Sequence, residues 1–247
     1  MKYKTIIISD LHLGNPFSNW KRLEIFLKEN SCDDLFLNGD IVDEKFLKQN
    51  NKELLKNEID FLNSILYSKN QNFKETYYIT GNHEEVGTDV YMYRGIDYHI
   101  YTTIKGDLFY ISHGHRSIFK NSITNNKNIL KLVDLTIRCL AKLKKIHSGF
   151  VFQKGELNIQ RGTEFSILSK VSRRVFKIGL KIISGYKRKI KIYGDKYNVQ
   201  GIICGHVHQP EIKKIKGILY LNSGDWLENN SALIQDLNGN WKIKINL

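Results

Sequence analysis

Apolar and polar positions along the chain fall into short alternating blocks that predict strands, each followed by a turn rich in glycine, asparagine, aspartate or histidine. Tyr3-Lys4-Thr5-Ile6-Ile7-Ile8 opens the series as a β-branched run, and Asp34-Leu35-Phe36-Leu37-Asn38 repeats the design. Thr76–Thr80, Leu108–Ser112 and Val199–Cys204 read the same way. Leu23–Lys28 and Glu53–Leu66 show helical spacing between them. After Gly205 the pattern changes to short strands only, at Glu211–Ile215, Leu219–Asn222, Ala232–Asp236 and Trp241–Ile245, with Gly217 and Asn238-Gly239 at hairpin turns. Alternating strands and helices followed by an all-strand run predict an α/β fold of two packed sheets flanked by helices.

The turns after the first five strands carry the chemistry. They read Ser9-Asp10-Leu11-His12, Gly39-Asp40, Gly81-Asn82-His83-Glu84, His113-Gly114-His115 and Gly205-His206-Val207-His208. A lone histidine pair is more often a surface turn or a core hydrogen bond than a ligand set. Five such motifs, each just past a strand, converge on the crevice outside the carboxyl ends of the strands, where layered α/β folds bind ligands. The donor set of imidazole, carboxylate and amide oxygen without thiolate suits manganese, iron or zinc. Calcium would call for more oxygens.

These motifs resemble those of the calcineurin-like metallophosphoesterases, D-x-H, G-D, G-N-H-[DE], H and G-H-x-H. The resemblance implies a four-layer αββα sandwich and two divalent ions, with manganese the first expectation and iron or zinc the next. One ion would be held by Asp10, His12 and His208 and the other by Asn82, His113 and His206, with Asp40 between them. His83 would protonate the leaving oxygen, its ring oriented by Glu84 or Glu85. Asp43 completes a G-D-x-x-D pattern and is expected chiefly to cap the helix that starts near Glu44. His115 would contact substrate or face solvent, and His99 and His147 are expected at the surface.

Residues 199–210 and Tyr220–Glu228, with the opening Ser9–Gly14, further resemble the UDP-2,3-diacylglucosamine pyrophosphatase-like branch of that family. This resemblance implies hydrolysis of the pyrophosphate of a UDP-linked diacylated sugar in lipid A synthesis, giving UMP and a lipid sugar 1-phosphate. His83 stands where the lipid A enzymes tend to carry arginine, and His115 where they carry aspartate.

The formal charge of +13 is unevenly distributed. Residues 120–196 hold 19 Lys and Arg against 4 Asp and Glu, whereas the rest of the chain holds 19 against 21. Within that stretch, apolar residues recur at helical spacing from Ile129 to Leu143 and from Phe165 to Ile182. We therefore expect a single domain over 1–247 interrupted by a basic helical insertion at 120–196, in the position where the resemblance implies an acyl-binding cap or lid. Basic amphipathic helices suit an anionic membrane surface. Arg116, Arg173 and Lys177 are the candidate phosphate contacts.

A nuclease or nucleic-acid phosphodiesterase is the main alternative, because the same charge could neutralise backbone phosphates. The apolar stripes and the scarcity of stacking aromatics in the basic helices argue against nucleic acid. A general phosphatase or nucleotide phosphodiesterase would leave the insertion without a purpose. Three unpaired cysteines, Cys32, Cys139 and Cys204, and no apolar run near the roughly 20 residues of a spanning helix, point to the cytoplasm, with peripheral attachment to the membrane. The opening Met1–Lys4 runs directly into the first strand, so no signal peptide is expected.

Overall fold

The computed structural model describes residues 1–67, 72–84, 95–120 and 185–247, and the backbone of two short strands at Val151–Gln153 and Glu156–Asn158. The expected helices around 129–143 and 165–182 lie outside the described residues, as do Glu85, Cys139, His147, Arg173 and Lys177. Residues 1–120 and 186–247 form one compact unit and residues 121–185 another. In the second unit β6 (Val151–Gln153) pairs antiparallel with β7 (Glu156–Asn158).

The first unit contains two five-stranded mixed sheets. In one, β1 (Lys2–Ile8), β2 (Ser31–Asn38) and β3 (Phe73–Ile79) run parallel. Antiparallel β11 (Ala232–Gln235) and β12 (Trp241–Lys244) extend it beyond β1. In the other, β5 (Leu108–Ile111), β8 (Gly201–Cys204) and β10 (Ile218–Asn222) are parallel. It is flanked by antiparallel β4 (His99–Thr102) and β9 (Glu211–Ile215).

Alternation along the strands decides the layering, because successive side chains point to opposite faces. Ile7, Phe36, Ile79, Phe109, Ile111, Ile203, Leu221 and Leu233 pack together between the sheets. Their neighbours point outward. Ile6, Ile8, Leu35 and Leu37 meet α1 (Trp20–Glu29) and α3 (Lys56–Leu66) through Leu23, Phe26, Phe61 and Leu62. Ile202, Cys204 and Tyr220 meet α4 (Tyr186–Tyr197) through Tyr186 and Ile190. The result is the expected order of helix, sheet, sheet and helix. The two sheets are also tied by polar contacts, since the Tyr101 hydroxyl lies 2.6 Å from Thr5 Oγ1 and donates to Gln235 at 3.2 Å.

Some element bounds differ from the sequence pattern for local reasons. α3 begins at Lys56 rather than Glu53, because Glu58 accepts the Leu55 N–H and fixes the first turn there. β4 was not expected; it is only four residues long and acquires its strand character from pairing with β5. His99, expected at the surface, is instead half-buried on β4, with ring centroids 4.7 Å from Tyr77 and 5.5 Å from Phe36. The run Lys187-Arg188-Lys189 lies on α4, which closes the outer layer of the second sheet. No helix among the described residues is long and apolar enough to cross a membrane.

Trp226 is fully buried, lies tilted against Phe26 with ring centroids 5.9 Å apart, and donates its backbone N–H to the Asp10 carbonyl. It joins the first core to the turn that carries the candidate ligands. Trp226→Ala is expected to lower stability by about 3–5 kcal/mol in urea unfolding of the metal-free protein. A loss under about 1 kcal/mol, the scale of an ordinary substitution, would contradict this packing.

Candidate metal centre

Parallel strands deliver the motif residues to one end of the two sheets. Asp10 and His12 follow β1, Asp40 follows β2, Asn82 and His83 follow β3, His113 follows β5, and His206 and His208 follow β8. To turn inward within two or three residues, the chain adopts left-handed backbone at Asp10, His12, Asp40, His206 and His208, with φ between 51° and 68°. Non-glycine residues seldom sit there, and such strain clusters at functional sites. Glycines create the room the side chains need. A Cβ on Gly39 would stand 2.4 Å from His113 Nδ1, and one on Gly81 would stand 2.0 Å from Asp40 Oδ1.

Six of the seven residues expected as ligands come together in two neighbouring groups. Asp10, His12 and His208 bring one donor atom each within 4.8 Å of one another, as do Asp40, His113 and His206. Asp40 Oδ2 lies 3.2 Å from His113 Nε2 and 3.9 Å from His12 Nε2, so this one carboxylate faces both groups. Asp10 Oδ1 lies 3.2 Å from His208 Nε2. Three buried atoms of these groups, Asp10 Oδ1, His12 Nε2 and His113 Nε2, make no hydrogen bond, and neither does the buried Oδ1 of Asn82 in the turn after β3. Buried polar atoms rarely stay unsatisfied, so a converging set of lone-pair donors fits cations.

Three of the histidines share one orientation. Nε2 of His12, His113 and His208 faces the carboxylates, whereas Nδ1 meets an outer oxygen: Asp43 Oδ2 at 3.2 Å, the Asn38 carbonyl at 2.9 Å and Asp225 Oδ2 at 3.9 Å. At His12 and His113 the outer oxygen is within hydrogen-bond distance of Nδ1 and fixes the tautomer that presents the Nε2 lone pair inward, a recurring feature of metal-ligating histidines.

The calcineurin-like phosphoesterase family matches this sequence over residues 3–210, which takes in every motif just described. The chain belongs to the calcineurin-like phosphoesterases. It is thus a metal-dependent phosphoester hydrolase, with clusters that can hold the two ions of that family. No curated protein matches the sequence. Among solved structures, a Vps29 single mutant from Entamoeba histolytica is 12% identical with a TM-score of 0.49, covering 98% of this chain and 97% of that one. A predicted phosphoesterase from Streptococcus pneumoniae is 13% identical with a TM-score of 0.41, covering 99% and 98%. An archaeal phosphodiesterase is 13% identical with a TM-score of 0.37, covering 98% of each chain.

Around the ligand clusters this phosphoesterase gives Glu84 a role other than the expected one, and gives Asp43 a second role besides the expected helix cap. Glu84 does not orient His83. It is buried, accepts the backbone N–H groups of Asp40, Ile41, Val42 and Gly81, and takes the Tyr78 hydroxyl at 2.5 Å. It thereby pins the turn after β2 to the turn after β3. Burial, followed by the Asp40 charge, raises its pKa.

Asp43 orients His83 instead, with Oδ1 2.6 Å from His83 Nδ1, and caps α2 (Glu44–Gln49) by accepting the Phe46 N–H at 3.1 Å. Burial alone would raise the Asp43 carboxyl, but its hydrogen bonds with His12 and His83 hold it well below the usual carboxylate range. His12, Asp43 and His83 also bring donors within 4.8 Å. Because Asp43 meets the Nδ1 atoms, we read it as the outer carboxylate of two histidines rather than as the centre of a third site. The G-D-x-x-D spacing was the only sequence signal for this role.

Asp225 was passed over in the sequence. It is fully buried, accepts the N–H groups of Leu227, Glu228 and Asn229, and stands behind His208. His115 is half-buried, and its pKa is pushed down to about 4 by burial and then by the His113 charge. Arg116 is exposed and pairs with Asp97 at 3.0 Å.

Burial opposes charge on His12 and His113. The Asp43 hydrogen bond with the Asp40, Asp43 and Asp10 charges raises His12 to about 9, and the charges of Asp40 and Asp10 raise His113 to about 10. Both values lie above the unfolded-state value, so the stabilisation is complete below that value and is lost as pH rises through the folded ones. Without metal, the melting temperature should therefore fall between roughly pH 6.5 and pH 8, before cysteines titrate. Saturating manganese should remove the fall, because an ion replaces the protons. A flat profile in chelator would contradict this ring arrangement.

Proposed function

We propose that this phosphoesterase hydrolyses the pyrophosphate of a UDP-linked diacylated glucosamine, UDP-2,3-diacylglucosamine or a close relative, releasing UMP and a lipid sugar 1-phosphate. The observation that carries the chemistry is the Asp40 carboxylate facing His12 on one side and His113 on the other. In this reading Asp10, His12 and His208 hold one ion, Asn82, His113 and His206 the other, and Asp40 both. Manganese is the first candidate. Two ions in such a pair polarise a phosphoryl oxygen and lower the pKa of water between them.

The protein's own groups supply the remainder. Asp40 Oδ1 accepts the His83 backbone N–H at 2.8 Å, which locks the histidine's main chain to the ligand cluster. The His83 ring stands edge-on to the His12 ring at 4.6 Å and is held at Nδ1 by Asp43. Nε2 is then the atom that hands a proton to the departing oxygen. Water adds to the uridylyl phosphorus, the bond from that phosphorus to the bridging oxygen breaks, and the lipid sugar 1-phosphate leaves with its charge stabilised.

The substrate assignment is supported by Ser9–Gly14, residues 199–210 and Tyr220–Glu228, which resemble the UDP-2,3-diacylglucosamine pyrophosphatase-like branch, and by the +15 balance of residues 120–196. A basic, apolar-striped segment suits a protein acting peripherally on the anionic inner face of the cytoplasmic membrane.

The manganese-loaded protein should release UMP from UDP-2,3-diacylglucosamine in strong preference to the same UDP-sugar without acyl chains. His12→Ala serves as the blank. Cleavage of only generic diesters would sink the lipid assignment, and cleavage of DNA with steep salt inhibition would favour the nuclease reading. His83→Ala should lower kcat by about 10²–10⁴-fold while leaving metal stoichiometry intact. Unchanged kcat would remove His83 from the proton transfer.

A further inference from the structure

On the outer side of the second sheet, next to the ligand cluster, lies an open cleft of about 120 Å³. The cleft is built from the segment before β4, the end of β5 with the turn that follows it, and α4. Four tyrosines line it beside Asp97, Ser112, His115 and Arg116. Tyr98 and Tyr110 stack with centroids 5.1 Å apart and planes at 25°, and Tyr110 and Tyr197 stack at 4.7 Å and 27°. Tyr193 lies 5.6 Å from Tyr110.

One end of this cleft is shared with the metal centre. His113 lines both, and the His115 ring stands 5.5 Å from His113 and 6.3 Å from His206. A group held against the tyrosines is therefore covalently within reach of a phosphorus at the ligand cluster.

We propose that the cleft receives the pyrimidine ring of the substrate's nucleotide half. This rests on the reading that the substrate is a UDP-linked molecule and assigns a place to the part that leaves as UMP. Size suits one ring: the roughly 120 Å³ of the cleft is close to the about 150 Å³ of an apolar cavity that accommodates benzene. Chemistry argues for a base rather than an acyl chain. Tyr110 is buried against Tyr98 and Tyr197, and Lys196 lies over the Tyr197 ring, so the stacking surface offered to a base is that of Tyr98, which is 42% exposed, whereas a lipid tail would be matched by aliphatic walls.

The polar edge of a uracil has donors and acceptors side by side. Arg116 and Asp97 at the cleft supply the complement, a guanidinium donor beside a carboxylate acceptor. Their mutual ion pair is about half-exposed on both sides and stabilises little by itself, so either group can turn to a ligand at small cost.

The test is equilibrium binding of UMP, AMP and ribose 5-phosphate to the metal-free full-length protein, by titration calorimetry. UMP should bind about tenfold tighter than ribose 5-phosphate, the scale of one stacked base, and AMP should gain no such advantage. Tyr98 is partly exposed, so Tyr98→Ala should leave the fold intact and abolish the UMP advantage without changing ribose 5-phosphate binding, whereas Tyr98→Phe should keep it. Arg116→Ala should weaken UMP selectively. Equal or undetectable binding of all three ligands, or a UMP advantage that survives Tyr98→Ala, overturns the assignment. Selective UMP binding with no hydrolysis of the UDP-glycolipid would leave the base cleft standing and remove the lipid substrate; hydrolysis without base selectivity would do the reverse.

Discussion

Asp40 is 2% exposed, and its carboxylate lies between two histidine rings with the Gly81 backbone packed against it. Such a buried charge is tolerated only when opposite charge and hydrogen bonds surround it. Without metal, the compensation comes from protonated His12 and His113, and their raised pKa values express the need for it. Divalent ions meet the same need more fully and free those rings to act as neutral ligands. The remaining architecture holds this carboxylate in place: Glu84 ties down the backbone N–H groups of Asp40, Ile41 and Val42, and Gly39 lets His113 approach.

A second consequence concerns precision. Five candidate ligands in left-handed backbone cost strain at each residue. That strain is sustained because both sheets are closed by dense apolar layers, with Ile7, Ile203 and Leu221 between them and Trp226 beneath the Asp10 turn. The outer oxygens of Asp43 and Asn38 then set the direction of the His12 and His113 rings. Rigidity at the strand ends and orientation from outside the cluster produce donors that converge before any ion arrives.

Much of this was legible in the sequence. The apolar runs Tyr3–Ile8 and Asp34–Asn38 announced β1 and β2, and the turns after β1, β2, β3, β5 and β8 carry the residues that the fold gathers. What could not be read was the division of labour among the carboxylates. Glu84 adjoins His83 in the chain yet serves backbone amides some 40 residues away, while Asp43, 40 residues distant, holds the His83 ring. Local spacing cannot rank such partners, because the choice depends on how two turns from different strands meet. The tyrosine cleft is of the same kind, since Tyr98, Tyr110 and Tyr197 belong to three separate segments that only the second sheet and α4 bring together.

The central claim is a pair of cation sites sharing Asp40. Anomalous scattering from crystals grown with manganese tests it most directly. Two peaks about 3.5–4 Å apart, one on each side of the Asp40 carboxylate, are the predicted result. A single peak, or density centred among His12, Asp43 and His83 instead, would contradict it.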